Sequence, residues 1–323
     1  MARNRTRFAH DTGLTVRMTT VLFLLGALFV AFMVVLMFVA GRAGYGGLIP
    51  IIALFGLGSA WWSWYNSDKV ALRAMRARVV TPEQAPELHG MIDRLCALAD
   101  MPKPVVAIAD TTLPNAFATG RSPERAAVCV TTGILQMLTA EELEGVLAHE
   151  LSHVAHRDVL VMTIASSAGV IAGMVTQGAQ YGFFFGGGRR SNDDRDGLGG
   201  GAALMLALVV SLVVYAVSFV LTRMLSRYRE LCADRAGALL TQRPQALASA
   251  LVKISGEMSV MPQKDLREVG SMNAFFIAPA IRGVSLKTIT STHPSLEQRL
   301  EQLAEVAAEL GRPFDGGFTQ TGR

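Results

Sequence analysis

Two histidines stand four residues apart in the segment HELSH, residues 149–153, and a glutamate directly follows the first. Four residues make slightly more than one helical turn, so on a helix His149 and His153 present their imidazoles on the same face. Two such nitrogens can bind one zinc ion from consecutive turns. Glu150 is turned to a neighbouring side, where it can hold and deprotonate a water. The chemistry this suggests is metal-assisted hydrolysis. A catalytic zinc takes three protein ligands and keeps one position open, so a third ligand must come from elsewhere in the chain. His156 on the same straight helix has poor geometry for a tetrahedral ion and is expected to be exposed or to stand behind the ligands.

Downstream, SRYRELCADRAGA places Glu230 and Asp234 four apart on one predicted helix face, among small residues that permit close packing. A carboxylate as third ligand, with a second carboxylate fixing a histidine ring, is one physically sensible reading. The plainer one is a charge-dotted helix whose Arg227 and Arg229 face water and lipid head groups. Cys232, two residues from Glu230, points away from it. His89 lies in an amphipathic helix with no second ligand type at helical spacing, and a solvated or packing role is expected.

The histidine motif needs a helix and something to pack it on. Thr139 with Glu142 forms a capping box at the start of LEGVLAHELSHVAHRD. Ahead of it, VVAIA, NAFATG and AAVCVTT read as the strands of a small sheet, separated by the turn GRSPER. Residues 66 to about 100 are helical in pattern, with a helix start at Thr81 and with Leu88, Ile92, Leu95 and Leu98 on one face.

Hydrophobic residues make up 51% of the 323 and charged ones only 17%, too apolar a balance for a simple soluble globule. Uncharged runs at 18–40 and 48–65, with later ones at 159–185 and 202–222, are long enough to cross a bilayer, so four spans are expected. Arginine and lysine cluster before the first run, after the second and after the fourth, which puts both termini and residues 66–158 on the cytoplasmic side. Trp61, Trp62, Trp64 and Tyr65 form an aromatic anchor at the inner end of the second span.

The expected organisation is a basic leader (1–17), two transmembrane helices (18–65), a first part of a cytoplasmic domain (66–158), a transmembrane hairpin (159–222), the second part of that domain (223–310) and a frayed tail (311–323). The glycine-rich FFFGGGRRSNDDRDGLGGG reads as a loop outside the membrane. A net charge of +4 is accounted for by the membrane-flanking clusters, and no basic stripe with interleaved aromatics suggests nucleic-acid binding. The three cysteines, Cys96, Cys129 and Cys232, are widely spaced and read as reduced thiols in a cytoplasmic domain.

HELSH and SRYRELCAD, together with NAFATG upstream and THP downstream, resemble the membrane-bound zinc metallopeptidases of the HtpX type, in the wider group that includes the CAAX prenyl proteases of the Ste24 type. The resemblance extends from the first span to about residue 303. It implies a mainly α membrane protein with four transmembrane helices and a cytoplasmic zincin-like α+β metallopeptidase domain holding a small β-sheet. By the same resemblance His149, His153 and Glu230 bind one zinc ion, Glu150 is the catalytic base and Asp234 orients a ligand. Asn115, Ala116 and Phe117 would hold an extended substrate backbone. His293 of THP would be a hydrogen-bond donor to the oxyanion, or else a helix-start histidine ahead of PSLEQRLEQL, and Arg227 would stand in the site or merely face it.

The function implied is cleavage of misfolded or damaged membrane proteins and unfolded polypeptides at the cytoplasmic face of a bacterial-type inner membrane, a stress-related quality-control role. Its partners would be polypeptide substrates, membrane proteins and the lipid bilayer. The alternatives are a CAAX-type prenyl endopeptidase, which typically has more spans, and a non-catalytic zinc-binding scaffold or transporter, which would need polar residues within spans that have almost none. An intramembrane protease is disfavoured because the motif precedes the apolar run and is flanked by charges.

Overall fold

The computed structural model describes residues 12–42, 47–185, 200–260 and 293–314; the first eleven residues of the expected leader, most of the glycine-rich loop and the tail beyond 314 lie outside them. In chain order the elements are helices α1 (Thr12–Arg42), α2 (Leu48–Tyr65) and α3 (Ser67–Ala74), strand β1 (Arg78–Val79), helix α4 (Pro86–Ala99) and strands β2 (Val105–Ala109), β3 (Ala116–Gly120) and β4 (Ala126–Thr131). Helices α5 (Thr132–Met137), α6 (Ala140–Ala155), α7 (Asp158–Phe185), α8 (Gly200–Thr241), α9 (Pro244–Val260) and α10 (Leu296–Glu309) follow. The chain divides into two compact units, one of residues 17–64 and 161–225, the other of residues 1–16, 65–160 and 226–323.

The first of these is helical and apolar. Phe32, Leu36, Ile171, Ala172, Val175 and Val214 form its buried cluster, whereas Phe23, Leu54, Phe55 and Val213 lie exposed on its helices. Large apolar side chains facing outward suit a surface solvated by lipid. Among the described residues three stretches are long and apolar enough to cross a membrane, Thr15–Phe38, Asp158–Gln177 and Met205–Thr241. The expected second span falls on α2, an 18-residue helix without charge.

The other unit is built on a four-stranded sheet of order β1-β2-β4-β3. Strands β2 and β4 run parallel, and the edge strands β1 and β3 pair antiparallel to them. The three strands expected from the sequence all form; β1, two residues long, was not expected. Central β4 is buried along its whole length, which explains its run of small apolar residues rather than an alternating pattern. Helix α6 packs on the sheet and on α9, and α9 on α10, around a core that includes Ile92, Leu95, Leu147, Leu151, Leu251 and Leu303.

Two local expectations need correction. The helical pattern over 66 to 100 breaks between α3 and α4, with Arg76 at φ 50°. Thr81 opens a turn, its amide bonded by the Gln84 side chain, and the helix starts at Pro86, the first position where proline's missing N–H costs nothing. The capping box does form: Thr139 accepts from the Glu142 amide and Glu142 from that of Thr139. Glu142 also accepts from Ser249 at 2.5 Å and from Lys253 at 2.8 Å, so the residue that caps the start of α6 fastens it to α9 as well. His89 is buried with Nε2 3.1 Å from the Val80 carbonyl, a packing histidine.

The small residues around Glu230 let α8 approach α6 closely. A Cβ on Gly237 would lie 2.8 Å from the backbone nitrogen of His149 and 3.1 Å from its Cα, so the backbones touch where any side chain would separate them. Gly237→Ala is therefore expected to destabilise this unit by about 1–3 kcal/mol through overpacking. A lowered thermal midpoint in detergent checks this, and an unchanged midpoint shows that the helices can part freely.

Candidate metal centre

The two histidines and the glutamate meet. Nε2 of His149 and Nε2 of His153 are 3.2 Å apart, and the Glu230 carboxylate lies 3.7 Å from the first and 3.5 Å from the second. Helical spacing supplies the imidazole pair from consecutive turns of α6, and α8 delivers the carboxylate at their tips. The ligand atoms of these three residues all lie within 4.8 Å of one another, and among the described residues this is the one such cluster.

Each candidate ligand is held from behind by charge. Asp234 Oδ1 lies 2.9 Å from His149 Nδ1, short although not aligned as a hydrogen bond. Asp234 is gripped in turn by Arg299, which donates from Nε at 2.7 Å and from its terminal nitrogen at 2.6 Å. Asp158, the first residue of α7, takes His153 Nδ1 at 2.5 Å and lies 2.9 Å from Arg229 Nε. His293 Nδ1 is 3.2 Å from Glu230. His149, Glu230, Asp234, Asp158, His293 and Arg299 are all buried.

This arrangement can be tested for its fit to zinc. Carboxylates only accept, so the protons of both imidazoles belong on Nδ1, and a neutral ring then carries a lone pair on Nε2. Two lone pairs and a carboxylate aimed at one another repel unless a cation stands among them. Tetrahedral zinc with nitrogen and oxygen ligands at roughly 2.0–2.1 Å requires ligand atoms about 3.3 Å apart, close to the separations found. The donor set fits the ion.

Glu150 is buried beside this cluster, and its Oε2 accepts a 2.9 Å hydrogen bond from the backbone N–H of Ala118 on edge strand β3. Burial pushes its carboxyl up to about 7, partly offset by the attraction of His153, while neighbouring Glu230 raises it further. The cleft is lined by Phe117, Ala118, Thr119 and Gly120 along the strand, with the histidines, Glu150, Asp158, Arg229, Glu230 and His293 opposite or beneath. Gly120 closes the strand at φ 133°, where a Cβ would stand 2.4 Å from the Arg125 carbonyl, so the turn that follows admits no side chain there.

Several expected positions differ in detail. Of Asn115, Ala116 and Phe117, only Phe117 reaches the cleft wall; Asn115 and Ala116 are wholly buried, with Asn115 bonded through its backbone to Thr131. The strand residues that line the cleft are the consecutive Phe117, Ala118, Thr119 and Gly120. Arg227 does not line the cleft, whereas Arg229, expected to face head groups, does. His156 is exposed at the end of α6. Asp158 and Arg299 were not singled out, and Arg229 was named only in the plainer reading of that helix as charge-dotted. Arg299 carried a signal, since it stands three residues after Leu296 and four before Leu303, on the stripe that α10 buries.

Comparison with known proteins agrees with this geometry. The model of "Peptidase family M48" matches residues 82–307. The chain is 53% identical over 95% of its length to Protease HtpX homolog 1 of Streptomyces coelicolor, covering 97% of that protein. It is 49% identical to a Protease HtpX homolog of Moorella thermoacetica, over 95% of this chain and 98% of that one. In fold it resembles the crystal structure of S. mikatae Ste24p, with a TM-score of 0.55 at 16% identity over 90% of this chain and 65% of that one. The chain belongs to peptidase family M48 and is a membrane-bound, zinc-dependent metalloprotease.

Proposed function

We propose that the chain is a four-span endopeptidase whose cleft faces the cytoplasm, where it cleaves misfolded membrane proteins and unfolded polypeptides. The observation that carries this reading is the meeting of His149, His153 and Glu230 beside an accessible sheet edge, with Glu150 between metal site and strand. Zinc held by these three residues supplies a Lewis acid that polarises a carbonyl and lowers the pKa of water.

The remaining work falls to the chain itself. Among the described residues strand β3 pairs with β4 on one side only, so its other edge can take an extended peptide as an added strand. Backbone hydrogen bonds of that kind ignore side-chain identity, which suits a broad range of unfolded substrates. Phe117 to Gly120 form that edge in the cleft. Glu150 is placed to take the proton of the attacking water and return it to the leaving amine. Asp234 keeps the His149 imidazole aimed inward, and Arg299 keeps Asp234 ionised by balancing its buried charge. His293, with Nδ1 3.2 Å from Glu230, braces that carboxylate and lines the cleft, where its imidazole can serve as a donor to developing negative charge.

For the membrane part, the basic clusters at Arg3, Arg5, Arg7 and Arg17 and at Lys69, Arg73, Arg76 and Arg78 support cytoplasmic termini and an inner-membrane setting. Helix α2 supplies the fourth span, with its aromatic end at the inner interface.

Glu150→Gln keeps the shape of the base but removes its basicity. We expect it to retain zinc, measured by atomic absorption, while cleavage of casein in detergent falls by about 10²–10⁴-fold; undiminished cleavage would overturn the assignment. A reporter fused after residue 195 is expected to appear outside the cytoplasm, and a cytoplasmic reporter would show that α7 and α8 do not cross.

A further inference from the structure

Asp158 occupies a position that the reaction as described does not explain. It opens α7 three residues after α6 ends, with Arg157 at φ 56° breaking the helix between them. The same carboxylate oxygen, Oδ2, meets His153 Nδ1 at 2.5 Å and Arg229 Nε at 2.9 Å. Its side chain is 4% exposed, against 13% for that of Arg229. Arg229 precedes Glu230 on α8, and consecutive helical residues diverge by about 100°, so one turns to Asp158 as the other turns to the imidazoles. Three stretches of chain therefore meet on one oxygen: the end of α6, the start of α7 and the turn of α8 that carries the candidate third ligand.

We propose that Asp158 and Arg229 form a relay of positioning residues for the metal: Asp158 fixes the tautomer and ring plane of His153, and Arg229 acts on that histidine only through Asp158. The chemistry is specific. His153 Nδ1–H needs an acceptor, or the ring can turn and offer the wrong nitrogen. A buried carboxylate placed there would itself need a counter-charge, because an unpaired buried anion is costly. Arg229 supplies that charge and, as the residue next to Glu230 on α8, ties that turn of α8 to Asp158 and so to the histidine pair. The two halves of the donor set are thus aligned by a contact that never touches the ion. The parallel arrangement at His149, through Asp234 and Arg299, leaves His153 without support of its own unless Asp158 provides it.

The relay rests on His153 being a zinc ligand, and its test separates the two. Zinc affinity of the full-length protein in detergent is measured by competition with a chromogenic chelator, and the visible spectrum of the cobalt-substituted protein reports ligand geometry. Apo-protein thermal midpoints serve as the control for folding. We expect Asp158→Asn to weaken zinc binding by about 10–100-fold and to change the cobalt bands, with the apo midpoint nearly unmoved. Arg229→Gln is expected to weaken it less, Arg229→Lys to restore part of the loss, and Asp158→Asn combined with Arg229→Gln to be no worse than Asp158→Asn alone, as residues acting in series require.

Losses that add in the double variant would overturn the relay. So would an Asp158→Asn protein with native zinc affinity and cobalt bands, or one whose apo midpoint alone has dropped, which would make the pair a structural salt bridge. His153→Ala provides the separating arm. If it abolishes tight binding while Asp158→Asn does not, the relay fails and the metal site stands; if His153→Ala leaves affinity intact, both fail.

Discussion

Two imidazole nitrogens and a carboxylate facing one another at 3.2–3.7 Å are the constraint on which the rest of this unit depends. Three electron-rich atoms in a buried place repel, and only a cation reconciles them. Everything nearby is arranged so that they cannot turn away. Asp234 and Asp158 hold the far sides of the rings, Arg299 and Arg229 balance those carboxylates, and His293 stands behind Glu230. Charges alternate in sign outward from the centre, which is how a group of buried ionised residues avoids the cost each would carry alone.

The fold serves that convergence through close backbone contact and firm helix ends. Gly237 allows α8 to lie directly against the turn of α6 that carries His149. Glu142 closes the start of α6 and ties it to α9 by two short bonds. On the other side β3 lends a backbone N–H to Glu150, so the proposed base is registered against the same edge that the proposed substrate would use. A helix fixed at its start, along one flank and at its catalytic turn leaves the imidazoles little freedom.

Much of this was legible before any coordinates. The spacing of His149 and His153 and the capping box at Thr139 are local properties written in consecutive residues, and the strands VVAIA, NAFATG and AAVCVTT are carried by composition and turn chemistry. Glu230 and Asp234 could be picked out by their spacing, but which of them meets which histidine depends on how α8 packs, and no local pattern encodes that. Asp158 and Arg229 were hidden for the same reason: each looks like an ordinary charge flanking an apolar run, and only the packing of α8 beside the start of α7 brings them together. Asn115 and Ala116 lie buried outside the cleft lining because a strand's sequence does not reveal which stretch of it runs beside the site. The break between α3 and α4 was missed because an amphipathic period survives across it, while Pro86 and the left-handed Arg76 decide where the helices end.

The order of these residues along the chain has a consequence for biosynthesis. HELSH is made first, then α7 and the apolar first part of α8, and only afterwards Glu230 and Asp234 at the end of α8, with His293 and Arg299 later still. At a translation rate of about 5–20 residues per second, several seconds pass in which a nascent chain carries its imidazole pair and its glutamate without the carboxylate that completes them. A metalloprotease made in this order holds its imidazole pair before the carboxylate that completes the cluster has been synthesised.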